Sequence, residues 1–177
     1  MKKNIENIIC RVMQRTGFDL EIKEDLCGVN MTYHFIHDYV TYDPDRLQKA
    51  AAEQKVEVGL ETYITAITLH EIGHAIDRQA LLDSIPQSVE VMKMKQGIPV
   101  PVIYADPVLL GKLIEEDERN LICEKTAWEN ASMLNNMYQL VPFELFNAIA
   151  EQSLGTYETK LTDKKRRLAR IVGTATA

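Results

Sequence analysis

Thr68-Leu69-His70-Glu71-Ile72-Gly73-His74-Ala75 sits in a proline-free segment from Val58 to about Leu82, where Ile64, Ile67, Leu69, Ile72, Ala75 and Ile76 make most sides apolar. That spacing predicts a helix. Residues four apart on a helix share a face, with Cβ atoms about 5–6 Å apart. His70 and His74 can therefore present two imidazole nitrogens to one ion, and Glu71 stands about 100° around the axis beside them. This is the geometry of a zinc site with an adjacent general base. Buried polar groups need partners, so two histidines in so apolar an element point the same way. Gly73 costs about 1 kcal/mol relative to alanine inside a helix; close approach of another backbone or of substrate would account for it.

A catalytic zinc takes three protein ligands and keeps one position open. A histidine six residues beyond His74 is excluded as the third, because position 80 is Ala80. A second long helix is expected from Pro107 to about Tyr138. On it Leu110, Leu113, Asp117, Leu121, Glu124, Trp128, Ala131, Asn135 and Tyr138 form one stripe at three- and four-residue spacing. Glu124 is a carboxylate within that mainly apolar stripe. Burial there without a partner is costly, and a cation is its natural counterpart. The alternative is a glutamate at the stripe's edge, paired with Lys125 or Lys160.

Outward from these two helices, Ile5, Ile8, Ile9, Val12 and Met13 predict an amphipathic helix over 3–15, ended by Gly17. Phe18–Lys23, Met31–Ile36 and Tyr39–Tyr42 predict an antiparallel sheet of about three strands. On such a strand His34 and His37, three apart, point to opposite faces and chelate poorly. Asp43-Pro44 predicts the cap of a short helix to about Gln54. Residues 83–107, with Pro86, Pro99, Pro101, Gly97 and Pro107, read as a long connection holding at most one short helix near Val89–Lys95. Met92 and Met94 in it could line a lid over a cleft or pack on the core. Pro142 opens a further helix, from Phe143 to about Leu154.

The chain has 177 residues, 46% hydrophobic and 26% charged, which fits one globular domain and excludes disordered and disulfide-scaffold classes. The net charge is −6. Lys160, Lys164, Lys165, Arg166, Arg167 and Arg170 against Asp163 give residues 160–177 a net +5, leaving −11 for the rest. The expected division is a single domain over 1–159 and a basic helix end or tail over 160–177. An acidic whole speaks against nucleic acid as a partner, and no stretch suits a membrane span or a signal peptide. Cys10, Cys27 and Cys123 lack any paired spacing; reduced thiols, a cytoplasmic address and a monomer are the expectations. Glu115-Glu116-Asp117-Glu118 reads as a solvated helix face before a second metal site.

Glu124-Lys125-Thr126-Ala127-Trp128-Glu129-Asn130-Ala131 resembles the third-ligand helix of gluzincins, in which small residues follow the glutamate three and seven positions on. Tyr39–Asp43 followed by Thr68–Ala75 is similar to the strand-then-helix arrangement of the small ImmA/IrrE-type metallopeptidases and of minigluzincins. The resemblance covers roughly residues 30–135. It implies an α+β, mainly helical, zincin-like domain with the sheet on the active-site helix. It also implies His70, His74 and Glu124 as ligands of Zn2+, and Glu71 as general base and acid in peptide-bond hydrolysis. The substrate would be a peptide or protein, bound by strand addition near 31–42. Where some gluzincins place an aspartate four residues after the ligand glutamate, this chain has Trp128; Asp77 is either a substitute or a surface acid. Tyr63, Tyr104, Tyr138, Tyr157, His34 and His37 are all open as oxyanion donors. The competing reading is a catalytically idle or self-inhibited zinc-binding regulatory protein, its long loop or basic tail filling the cleft.

Overall fold

The computed structural model describes residues 2–175. Eleven elements run in the order α1 (Lys2–Thr16), β1 (Glu21–Glu24), β2 (Met31–His34), β3 (Tyr39–Tyr42), α2 (Pro44–Ala52), α3 (Leu60–Ile76), α4 (Arg78–Asp83), α5 (Ile85–Gly97), α6 (Val100–Ile103), α7 (Pro107–Tyr138) and α8 (Phe143–Ala175). The fold is mainly helical with one small sheet, as the α+β expectation required.

α1 buries Ile5, Ile8, Ile9, Val12 and Met13. It stops where Gly17 turns left-handed (φ 78°) and Phe18 N–H donates to the Met13 carbonyl. The sheet is mixed, in the order β1-β3-β2, and not antiparallel throughout: β1 runs parallel to β3 and β2 antiparallel to it. The chain reverses after β1 and again after β2, so β3 recovers the direction of β1 and takes the centre. Asp43 secures the first reversal, accepting from Gly28 N–H (2.8 Å) and donating its own N–H to the Asn30 carbonyl (3.0 Å). Asp43 also caps α2 through the N–H groups of Asp45 and Arg46. β2 ends at His34, and a turn through Asp38 (φ 61°) replaces the longer strand expected. The alternation argument for His34 and His37 therefore fails: both rings stack beside Tyr39, at 4.4 and 6.3 Å.

α3 is the central helix, buried from Tyr63 to Gly73. It ends at Ile76 and the chain restarts as α4, where the single helix to Leu82 was expected. Arg78 reaches back to the carbonyls of Phe35 and Ile36, tying α4 to the β2–β3 turn. The connection over 83–107 is helical, not a loop. Pro86 and Pro101 fall in the first turns of α5 and α6, where a missing N–H costs no helical hydrogen bond. Met94 packs on a small cluster of Val91, Ile103 and Leu113, while Met92 is exposed.

α8 continues far past Leu154, so the basic end is helical up to Ala175. It lies along α7, where Lys164 and Lys165 reach Asp117 and Glu118, each at 2.5 Å. Lys95 of α5 pairs with Glu116. The acidic run on α7 is thus a seam at Glu116 and Asp117, while Glu115 is exposed and Glu118 half-exposed, as a solvated face would be. The main core joins Ile9, Val40, Leu47, Ile64, Leu69 and Ile72 to Trp128, Phe146 and Ile149. No helix among the described residues is long and apolar enough to cross a membrane.

Candidate metal centre

Two helices make the centre, and their close approach follows from sequence. A Cβ built on Gly73 would lie 2.1 Å from the Ala127 carbonyl oxygen, so only glycine fits where α3 meets α7. Ala127 and Ala131, both buried, keep the facing surface low. Asn130, buried between them, donates its amide to the Gly73 carbonyl (3.0 Å) and fixes the register.

That register brings Glu124 opposite the two histidines. Its carboxylate oxygens lie 3.2 Å from His70 Nε2 and 3.6 Å from His74 Nε2. Ligands about 2.0–2.1 Å from a tetrahedral ion stand about 3.3 Å apart, and both histidine–carboxylate spacings, each to a different oxygen of Glu124, are close to that value. One ligand atom from each residue lies within 4.8 Å of the others, and no second such group occurs among the described residues. The buried group His70, His74 and Glu124 could hold a metal ion. Two neutral imidazoles and one carboxylate are donors suited to a borderline divalent metal.

Electrostatics bind the trio even without metal. Burial alone would raise the Glu124 pKa, but hydrogen bonds and charge from His70 and His74 prevail and hold it far below the carboxylate range. Burial pushes His74 down; the Glu124 hydrogen bond and the charges of Glu71, Glu124 and Asp77 push it up and win. Asp77 acts as the cap at the end of α3. Four residues after Glu124 on α7, Trp128 stacks on the His70 ring, centroids 4.4 Å apart.

Glu71 is buried beside the trio, and its Oε2 accepts the Tyr33 N–H of edge strand β2 (2.7 Å). The trio and Glu71 line a cleft of about 490 Å³. β2 and its flanks supply Asn30 to Tyr33 and Phe35, α4 and α5 supply Leu81 and Ser88 with Ser84 between them, and α7 supplies Asn120 and Cys123. α8 supplies Ser153 and Tyr157. Of the six oxyanion-donor candidates only Tyr157 lines this cleft. Its pKa is driven up, first by burial and then by the neighbouring Glu124 and Glu71. Tyr63 instead accepts a hydrogen bond from Asn30 (3.0 Å), and Tyr104 gives its carbonyl to Arg167. The contact of the Tyr33 backbone with Glu71 carries no side-chain signature, so no sequence pattern announces it. Leu81 falls within the helix the sequence predicts to about Leu82, whereas Ser84 and Ser88 fall outside the short helix expected near Val89–Lys95, because Pro86 masks the first turn of α5. No family model, no curated protein and no solved structure matches this chain.

Proposed function

We propose that the chain is a zinc-dependent metallopeptidase of the zincin type, gluzincin branch, acting on peptides or proteins. The observation that carries the reading is the convergence of His70, His74 and Glu124 from two helices, with Glu71 beside them, on an open cleft. His70, His74 and Glu124 would hold the zinc, which when bound supplies a Lewis acid and lowers the pKa of water. The remaining work falls to the chain. Tyr33 N–H holds one oxygen of Glu71, leaving the other to take a proton from the attacking water and deliver it to the leaving amine. Tyr157, kept protonated by its raised pKa, donates to the developing oxyanion. A peptide lies along the edge of β2, whose residues Asn30 to Tyr33 line the cleft, pairing with main-chain groups other than the Tyr33 N–H that Glu71 holds.

Tyr157→Phe tests the donor role: kcat should fall by about 10²–10³-fold while zinc content stays at the wild-type level. An unchanged kcat removes Tyr157 from the mechanism. A pH series tests the ligands, which must be deprotonated to bind metal. Because the His74 pKa is raised, protons compete with zinc sooner, and the apparent zinc affinity should begin to fall with pH from above the ordinary histidine value of about 6.5. The same pair gives the metal-free protein the opposite preference. The raised His74 stabilises below about 6.5 and the depressed Glu124 above about 4.3, so the site's contribution without metal is complete only between them. Zinc uptake flat down to pH 4 contradicts the assignment.

The regulatory reading makes the basic end or the 83–107 connection a plug for the cleft; of the connection, Ser84 and Ser88 line the cleft, which stays open at about 490 Å³. The cleft-lining residues end at Tyr157, and Lys164 and Lys165 are engaged with α7, which supports an accessible site.

A further inference from the structure

We infer that Trp128 is a positioning residue for His70. Its ring face fixes the imidazole in place of a hydrogen-bond acceptor on Nδ1, and the centre holds its metal more loosely for want of that acceptor. The inference rests on the reading of His70, His74 and Glu124 as metal ligands.

The two ring nitrogens of His70 stand in different surroundings. Nε2 faces Glu124 at 3.2 Å, while Nδ1 is buried with no hydrogen-bond partner among the described residues. A neutral imidazole carries one proton. Without metal that proton can sit on Nε2 and be donated to Glu124. Binding metal through Nε2 moves it to Nδ1, where ligand histidines ordinarily donate to a carboxylate or carbonyl. Here no described residue accepts it. Trp128 cannot, since an indole nitrogen only donates, and its own N–H is also buried without a partner. Metal binding therefore exchanges a satisfied proton for an unsatisfied one, which lowers affinity.

What remains to orient the ring is stacking. Trp128 lies four residues after Glu124 on the same face of α7, so one helix supplies both a ligand and the platform beneath another. The His70 and Trp128 planes are within 24° of parallel, and Phe146 braces the indole edge-on at 5.5 Å. Trp128 is 4% exposed and has no room to swing away.

The test is zinc affinity, measured by competition with a chromophoric chelator on wild type, Trp128→Phe and Trp128→Leu, with circular dichroism to establish folding. Phenylalanine keeps a ring face and should bind within about threefold of wild type, whereas leucine keeps apolar bulk alone and should bind about tenfold more weakly, the scale of losing a ligand's support. Wild-type affinity in folded Trp128→Leu overturns the inference. Should leucine prevent folding, the zinc-loaded wild type labelled with 15N-histidine decides. The His70 Nδ1–H should resonate as a proton without an acceptor, and a strongly downfield, carboxylate-type position overturns the inference. Failure of the wild type to take up zinc overturns the metal reading beneath it.

Discussion

Glu71→Gln should abolish cleavage and spare the metal, with kcat/KM down about 10²–10⁴-fold, the usual contribution of a positioned general base. Glutamine has the same shape, and its carbonyl oxygen can still accept the Tyr33 N–H that Glu71 accepts now. What it cannot do is take a proton from water. Glu71 lies outside the group of three that converges on one point, so zinc content should match wild type. Peptide-pool digestion beside elemental analysis reads both quantities. Undiminished cleavage removes Glu71 from the chemistry, and lost zinc moves it into the ligand set. A wild type that holds zinc and cuts nothing hands the case to the regulatory reading.

Gly73→Ala should be the most disruptive single-methyl change in the chain. Helix propensity alone favours alanine by about 1 kcal/mol, so a stabilised protein is the naive result. Against this, the new Cβ would lie 2.1 Å from the Ala127 carbonyl oxygen and 2.9 Å from its carbonyl carbon. Both are backbone atoms, which cannot rotate aside, so α3 and α7 must separate. Overpacking of this kind costs about 1–3 kcal/mol and occasionally more. With both helices rigid the upper end is expected, a net loss of about 2 kcal/mol and a melting temperature lower by about 4–8 °C. Separation also stretches the Asn130 to Gly73 bond and carries Glu124 away from the histidines. Zinc affinity should therefore fall together with stability. A variant as stable as wild type with intact zinc binding contradicts the close-approach account.

The two ligand helices were legible because their signals are local or periodic: four-residue spacing for His70 and His74, a carboxylate within an apolar stripe for Glu124, and small residues at 127 and 131. Gly73 announced a close approach before its partner was known. The sheet was legible as three short strands but not in its pairing, because pairing order depends on which reversal Asp43 secures, a contact across the chain. α5 was legible only as a short helix near Val89–Lys95 and α6 not at all, because prolines end helices in their interior but suit a first turn. The extent of α8 was hidden by its charge: six cations in a tail read as solvated until Asp117 and Glu118 of α7 stand beside them. Tyr157 was one name among six until α8 carried it into the cleft.

The central claim is that His70, His74 and Glu124 together hold one zinc ion. Elemental analysis of purified wild type beside Glu124→Ala tests it most directly. The account predicts one equivalent of zinc in wild type and loss of most of it from a folded Glu124→Ala. Wild type without zinc, or Glu124→Ala retaining a full equivalent, would contradict it.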